Sequence, residues 1–278
     1  MIPIGLNLTS IGVSSAWWME SAQEAESAGF RGVWCWDHFV SRGRKADPVL
    51  ECWTTLTAAA ARTSRLNVGS FINNVNNRHP AVLARMLATI WDQSGGRVEL
   101  GIGVGGSGPE LAMYGISMPE PPVRVRILED AVAVIRKLWS GGPVSHSGEF
   151  FTLDEAWAYP SPEPPPRIIV GGEKPGGAKL AARVGDGWTT NAEDYERLLP
   201  LHLEELSARG RSRAEVAHLL AVSISRDEPL DRQPLIADMA TFLGEWQERG
   251  ADEIVVSWVR PAELPALLEA AAKAGLSA

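Results

Sequence analysis

Two kinds of feature in this sequence could support chemistry: an Asp-His pair and two glycine-rich segments. Asp37 and His38 follow an apolar run. A histidine titrates near neutral pH, so it can donate a hydrogen bond or carry a charge. Glycines recur in 101–108 and in 171–177, where the missing side chains let a ligand or another backbone come close. These segments lie far apart along the chain, so the fold must bring them together.

The first glycine-rich segment contains the letters of a dinucleotide-binding fingerprint but not its context. That fingerprint needs a helix at once and an acid about 20 residues later. Prolines follow here instead, and the preceding strand is the fourth along the chain. Two interpretations stay open for 101–108: glycines that serve barrel packing, or a strand end covered by a flat cofactor.

The second glycine-rich segment, 171–177, leads directly into a predicted helix. Free N–H groups and the dipole at a helix amino terminus favour an anion, so this segment predicts a phosphate site. A plain turn between strand and helix is the alternative. The amide of Asn73 follows the third strand, where it can bond a cofactor or shape a turn.

The hydrophobic pattern alternates between strand-like and helix-like runs eight times. Eight such units favour parallel pairing and predict a (β/α)8 TIM barrel, formed as one domain over 1–278. The segment 140–166 lacks helical periodicity and is predicted to be an excursion with a small hairpin, between helix four and strand five. Function in such barrels lies after the carboxyl ends of the strands, which predicts that His38 and both glycine-rich segments share one mouth.

Composition and charge argue against several classes of protein. A net charge of −8 disfavours nucleic acids and anionic membranes as partners. No apolar run reaches the roughly 18 residues of a membrane span, and no signal peptide is recognised, so a cytoplasmic location is expected. Cys35 and Cys52 are too few for a disulfide framework. No metal-ligating motif occurs, so no metal site is predicted.

Several short segments occur in an order and spacing typical of one enzyme family. They are 28–34, 36–39, 63–69, 78–81, 94–103, 166–172, 181–183 and 186–188. Through them the chain resembles the luciferase-like monooxygenase superfamily, and within it the oxidoreductases that depend on the deazaflavin coenzyme F420. The likeness covers nearly the whole chain. Members commonly pair through helices near 48–91, so a homodimer is expected.

The resemblance implies a barrel that binds F420, or FMN as the alternative, at the carboxyl ends of its strands. His38 is then the catalytic residue beside the ring, and the peptide around Phe71 and Ile72 is a non-proline cis bulge. Backbone groups of 105–107 and 176–178 would hold the phosphate. The implied cofactor-binding residues are Asp37, Phe71, Ile72, Asn73, Gly103, Gly105, Gly106, Ser107, Gly172, Gly176, Gly177 and Ala178.

Two departures from the family pattern bear on the reaction. Family dehydrogenases of sugar phosphates or alcohols carry a Glu about where Gly106 stands, and a Trp shortly after the Asp-His pair. In this chain the residues after the Asp-His pair include Val40, Ser41 and Arg42 instead of a Trp. No acid is expected to replace the missing Glu. This argues against those two dehydrogenases. The basic side chains of Arg42, Arg44 and Lys45 either attract the cofactor's anionic tail or form a solvated loop.

The resulting interpretation is an oxidoreductase that moves a hydride between F420 and a small organic substrate. An FMN-dependent luciferase-like monooxygenase is one alternative, because both cofactors need the same phosphate site. A phosphate-binding barrel isomerase or aldolase is another, although no strand-end lysine is found for it. A non-catalytic flavin-binding protein also stays open.

Overall fold

The computed structural model describes residues 1–276, and a ring of parallel strands lies at its centre. Within these residues the strands are β1 (Ile4–Leu8), β2 (Gly32–Cys35), β3 (Asn67–Ser70), β4 (Asn73–Asn74), β5 (Val98–Gly103), β6 (Val144–Ser147), β7 (Thr152–Ala156), β8 (Ile168–Gly171), β9 (Gly187–Asn191), β10 (Ala217–Ser223) and β11 (Glu253–Val259). The ring runs β1-β2-β3-β5-β8-β9-β10-β11, and β1 pairs with β11 to close it. The predicted TIM barrel is therefore confirmed.

Helices surround the barrel and connect most of its strands. They are α1 (Ser15–Ser27), α2 (Cys52–Arg62), α3 (Pro80–Ser94), α4 (Gly108–Met113), α5 (Pro121–Trp139), α6 (Pro175–Val184), α7 (Ala192–Ala208), α8 (Pro234–Ala237), α9 (Met239–Glu248) and α10 (Leu264–Lys273). Proline begins α3, α5 and α6 because its fixed φ suits the first turn and the missing N–H costs nothing there. None of the helices within residues 1–276 has the length and apolar character that a membrane crossing requires.

Three helices differ from the sequence prediction, each for a local reason. The alanine-rich segment 48–63, whose composition favours a helix throughout, becomes helical only after Glu51, whose carboxylate caps the first turn of α2. The segment 235–249, whose pattern also favours one helix, is interrupted at Asp238, which caps α9. Helix α4 was not predicted, because its six residues are too few for a visible period and include Pro109.

The excursion between α5 and β8 contains an antiparallel hairpin of β6 and β7, as predicted. Asp130 of α5 holds it in place. Its carboxylate contacts His146 Nε2 at 2.6 Å and accepts the backbone N–H groups of Phe150 and Phe151 at 2.7 and 3.0 Å. The hairpin is thus fixed to the outer layer of helices and leaves the barrel ring unbroken.

The barrel interior is packed, and Trp34 fills much of it. A Cβ at Gly5, Gly32 or Gly69 would lie 2.1, 2.8 or 2.9 Å from an atom of the Trp34 indole. Glycine on these three strands therefore makes room for one large ring, because protein interiors leave little free volume. The buried residues clustered with Trp34 are Phe71, Ile169, Leu219 and Val255.

Four charged side chains, called the basal network here, meet at the amino-terminal ends of the barrel strands. Arg31 donates to Glu253 at 2.8 Å and to Glu99 at 3.2 Å, and Arg167 donates to Glu99 at 2.9 Å and to Glu253 at 3.2 Å. Burial raises the pKa of Glu253 to about 7. The pKa of Glu99 is lowered overall, because the opposing effect of burial is outweighed by the charges of Arg31 and Arg167. The two arginines thus stabilise the charged form of Glu99, whereas burial favours the protonated form of Glu253.

Candidate active site

Asp37 anchors the loops at the carboxyl-terminal mouth of the barrel. Its buried Oδ2 accepts hydrogen bonds from Arg78 at 2.8 Å, from the Asn77 amide at 2.9 Å and from the Asn74 backbone at 3.2 Å. Arg78 also donates to the buried Asn73 Oδ1 at 3.1 Å. Asp37 and Asn73 thus bind the protein itself. Their contact with a cofactor stays a prediction.

His38 follows Asp37 and pairs with an acid that arrives from α4. Its Nδ1 lies 2.8 Å from Glu110 Oε2, and Glu110 Oε1 accepts the backbone N–H groups of Phe39 and Val40. The pKa of Glu110 is lowered overall, because the opposing effect of burial is outweighed by hydrogen bonds from His38 and Phe39. Glu110 is therefore ionised at neutral pH and accepts a proton-bearing Nδ1, which leaves the lone pair of His38 on Nε2.

Glu110 was missed by the sequence analysis. The expectation was that no acid replaces the Glu absent at Gly106, yet a carboxylate from four positions later contacts His38. The turn of α4 carries Glu110 back toward β2, and sequence spacing alone does not show this approach. The available signal was a lone acid just after the glycines, in a loop with no predicted helix.

The peptide between Phe71 and Ile72 is cis, as the resemblance implied. The Phe71 carbonyl accepts a hydrogen bond from Asn7 Nδ2 at 2.9 Å. Next to it the Ile72 side chain lies against two glycines: a Cβ at Gly103 or Gly171 would be 2.5 or 2.1 Å from Ile72 Cδ1. Gly103 therefore serves packing of the bulge, which supports the packing interpretation for this position. A cofactor contact at Gly103 stays a prediction.

The loop after β5 contains one constrained glycine and one open one. Gly105 has a φ of 77°, and a Cβ there would lie 2.3 Å from Asn74 Oδ1, so this position needs glycine. At Gly106 a Cβ would meet nothing within 4 Å. Ser107 precedes α4, and its carbonyl accepts the N–H of Leu111 at 3.2 Å. The open surface of this loop is therefore at Gly106.

The second glycine-rich segment forms what is called here the α6 cradle, made of Gly172, Gly176 and Gly177. A Cβ on Gly172 would lie 2.4 Å from the Gly177 carbonyl carbon, so strand end and helix start touch. The N–H groups of Gly177 and Ala178 donate to the Lys174 carbonyl at 2.9 and 3.0 Å. Gly176 N–H has no acceptor in the part of the chain that the structure describes. The cradle thus offers an anion one free N–H group and a helix dipole.

No cluster of metal ligands accompanies these residues. Within residues 1–276, no group of three or more His, Cys, Asp or Glu side chains is arranged to hold a metal ion. Cys35 and Cys52 are buried free thiols.

Curated relatives match most of this chain. A glucose-6-phosphate dehydrogenase of Kineococcus radiotolerans, described as F420-dependent, is 36% identical over 216 residues, which are 74% of this chain and 63% of that protein. An F420-dependent hydroxymycolic acid dehydrogenase of Mycobacterium tuberculosis is 35% identical over 193 residues, 68% of this chain and 53% of that protein. The chain thus spans less than two thirds of the length of these relatives.

Solved structures match the fold over nearly the whole chain. An F420-dependent secondary alcohol dehydrogenase in complex with an F420-acetone adduct superposes with a TM-score of 0.84 at 23% identity, covering 97% of this chain and 98% of that chain. The family model for luciferase-like monooxygenase matches residues 12–254. The chain therefore belongs to the luciferase-like monooxygenase family.

Proposed function

We propose that this protein is an oxidoreductase that uses coenzyme F420 to transfer a hydride to or from a small organic substrate. The observation that carries the proposal is the contact between His38 and Glu110 at the barrel mouth, beside the Phe71–Ile72 bulge. Relatives named as F420-dependent dehydrogenases support the choice of cofactor.

Polar atoms left without partners at the mouth fit a deazaflavin. Asn7 Oδ1 and Thr189 Oγ1 are buried and make no hydrogen bond within residues 1–276. Both occupy inward-facing positions, on β1 and β9. The pyrimidine edge of a deazaflavin carries N–H and carbonyl groups that would satisfy them, and unsatisfied buried polar atoms are costly. The open backbone at Gly106 and Gly176 leaves space for a chain and its phosphate.

F420, when bound, supplies the centre that accepts or donates the hydride. His38 transfers the proton that accompanies the hydride, because its Nε2 carries the lone pair. In the oxidative direction Nε2 accepts the proton of a substrate hydroxyl, and in the reductive direction it returns that proton. Glu110 orients the ring and stabilises the imidazolium that forms. The α6 cradle and Gly106 would hold the cofactor's phosphate and chain.

Titration of the purified protein with F420 and with FMN, followed by cofactor fluorescence, tests this function. We expect tight binding of F420 and none of FMN. Binding of FMN alone would overturn the cofactor assignment and favour the monooxygenase, and binding of neither would refute both. The variant Gly176→Asp places a carboxylate at the cradle without a clash and should weaken F420 binding through charge repulsion. Gly244→Asp, in α9, has equal space and is the matched control.

The state and surroundings of the protein are also proposed. We expect a homodimer formed through helices near 48–91, and the exposure of 56% for Val82 on α3 supports this. Light scattering after size exclusion tests it, with Val82→Lys expected to favour the monomer. We further propose a cytoplasmic protein that binds small molecules and not nucleic acid, and cell fractionation and a DNA-binding assay test these two points.

A further inference from the structure

Two tryptophans from different strands meet at the barrel mouth beside His38. Trp36 directly follows β2, and Trp258 belongs to β11. Their ring centroids are 4.1 Å apart, with planes inclined by 35°. The ring of His38 lies 5.0 Å from that of Trp36. Both tryptophans are only partly buried, so an aromatic surface borders the histidine that handles the proton.

The backbone of β11 departs from regular geometry at Trp258. Leu6 of β1 pairs with Val256 of β11, but Leu8 pairs with Val259, so β11 contains one extra residue and bulges there. Trp258 has a φ of 62°, in the left-handed region that bulky residues rarely adopt. Its Nε1 donates to Thr9 Oγ1 at 3.2 Å, which fixes the indole. Bulges near active sites commonly re-aim a side chain, and this one accompanies the contact between Trp258 and Trp36.

A guanidinium lies over each ring of this pair. Arg42 Cζ is 5.5 Å from the Trp36 ring centroid, and Arg226 Cζ is 5.9 Å from that of Trp258. Both arginines are exposed, and neither forms a salt bridge with a carboxylate in the described part of the chain. Arg42 Nη2 lies 3.5 Å from His38 Nε2, and the remaining N–H groups of both guanidinium groups are available to an anionic ligand in a protein of net charge −8.

These four side chains lie across the ring from the predicted phosphate site. Trp36 and Arg42 follow β2, Arg226 follows β10, and Trp258 is in β11; β2 and β11 flank β1. The α6 cradle and the Gly106 loop follow β8 and β5 on the opposite side. The strand order therefore favours an anion other than the cofactor's phosphate as the ligand of these arginines.

We propose that Trp36, Trp258, Arg42 and Arg226, together the tryptophan platform, bind the substrate, and that this substrate is an anion with an apolar or aromatic body. The indoles supply flat apolar contact, and each guanidinium can bind an anionic group in a fixed geometry. That the bound molecule is the substrate of a redox reaction rests on the proposed oxidoreductase function. The substrate class rests on the platform alone.

Two probes of equal shape and different charge test the platform: 2-naphthoate and 2-naphthamide. Calorimetric titration of the full chain, with and without F420, should give naphthoate an affinity at least about tenfold higher. Arg42→Gln and Arg226→Gln should each reduce this preference several-fold, and Trp258→Ala should weaken both probes, with Trp258→Phe retaining most binding. Arg249→Gln is the matched control, because Arg249 lies 4.8 Å from the ring centroid of Trp246, away from the mouth.

Three results would overturn the platform. Equal affinity for the two probes is one, and an unchanged preference in the Arg42→Gln, Arg226→Gln double variant is another. The third is a loss of F420 affinity in that variant with naphthoate binding intact, because the arginines would then serve the cofactor. If the wild-type protein prefers naphthoate but binds no F420, the proposed function fails while the platform stands.

Discussion

The two ends of the barrel differ in how their arginine side chains are paired with carboxylates. At the amino-terminal end, the arginines of the basal network each contact both Glu99 and Glu253. At the carboxyl-terminal mouth, Arg78 likewise pairs with the buried Asp37, but the exposed Arg42 and Arg226 have no carboxylate within salt-bridge distance among the described residues. Neutralised buried charge holds strands together, whereas unpaired exposed charge is free to bind a ligand. At the mouth, exposed arginines without a carboxylate partner thus lie near a paired buried charge that holds the loops.

The largest expected effect is on catalysis at the mouth. His38→Ala removes the group that accepts the substrate's proton, so kcat should fall about 10²–10⁴-fold. The melting temperature should stay close to that of the wild type, because the side chain is at the mouth and not in the core. Steady-state turnover with F420 measures kcat, and thermal unfolding measures the melting temperature. Unchanged kinetics would remove the role assigned to His38.

A comparable loss is expected in stability at the other end. Arg31→Met leaves Glu99 and Glu253 buried with one cation, which should lower the free energy of unfolding by about 3–5 kcal/mol. Chemical denaturation measures this. Arg126→Met is the control, because the Arg126–Glu149 pair is exposed and screened by solvent, so its loss should leave the free energy of unfolding nearly unchanged. Equal losses in the two variants would contradict the contrast between buried and exposed pairs.

A smaller difference should separate two glycines of one segment. A Cβ at Gly101 would lie 2.1 Å from the Ser70 carbonyl oxygen, so Gly101→Ala should cost about 1–3 kcal/mol of unfolding free energy. At Gly106 there is open space, so Gly106→Ala should change stability by less than about 0.5 kcal/mol. If denaturation midpoints of the two variants coincide, the division between packing and open glycines is wrong.

A further prediction concerns the dependence of stability on pH. Burial raises the pKa of Glu253 from 4.5 to about 7, so folding favours its protonated form. This contribution to stability is complete below the unfolded pKa and is lost as the pH rises through about 7. Glu253→Gln stays neutral, so its unfolding free energy should fall less than that of the wild type between about pH 5 and pH 8. Parallel pH curves for the two proteins would contradict this.

Local patterns predicted the barrel and the hairpin, because each depends on short stretches of chain, whereas the position of the cis bulge followed from the family resemblance. Contacts between distant residues could not be predicted. Glu110 reaches His38 across 72 positions, and Arg31 reaches Glu253 across 222. The single-residue bulge at Trp258 leaves no periodic trace in the sequence either. The extent of the domain over 1–278 stays a prediction.

The open space at Gly106 has an evolutionary consequence. A glycine codon becomes a glutamate codon through one nucleotide change when its third base is a purine, and a side chain at Gly106 would meet nothing within 4 Å. The fold therefore imposes little penalty on acquiring a carboxylate there, about where the resemblance implies a Glu in dehydrogenases of sugar phosphates or alcohols. Most mutations that alter a site also cost stability. Here a carboxylate can be acquired without a compensating mutation elsewhere.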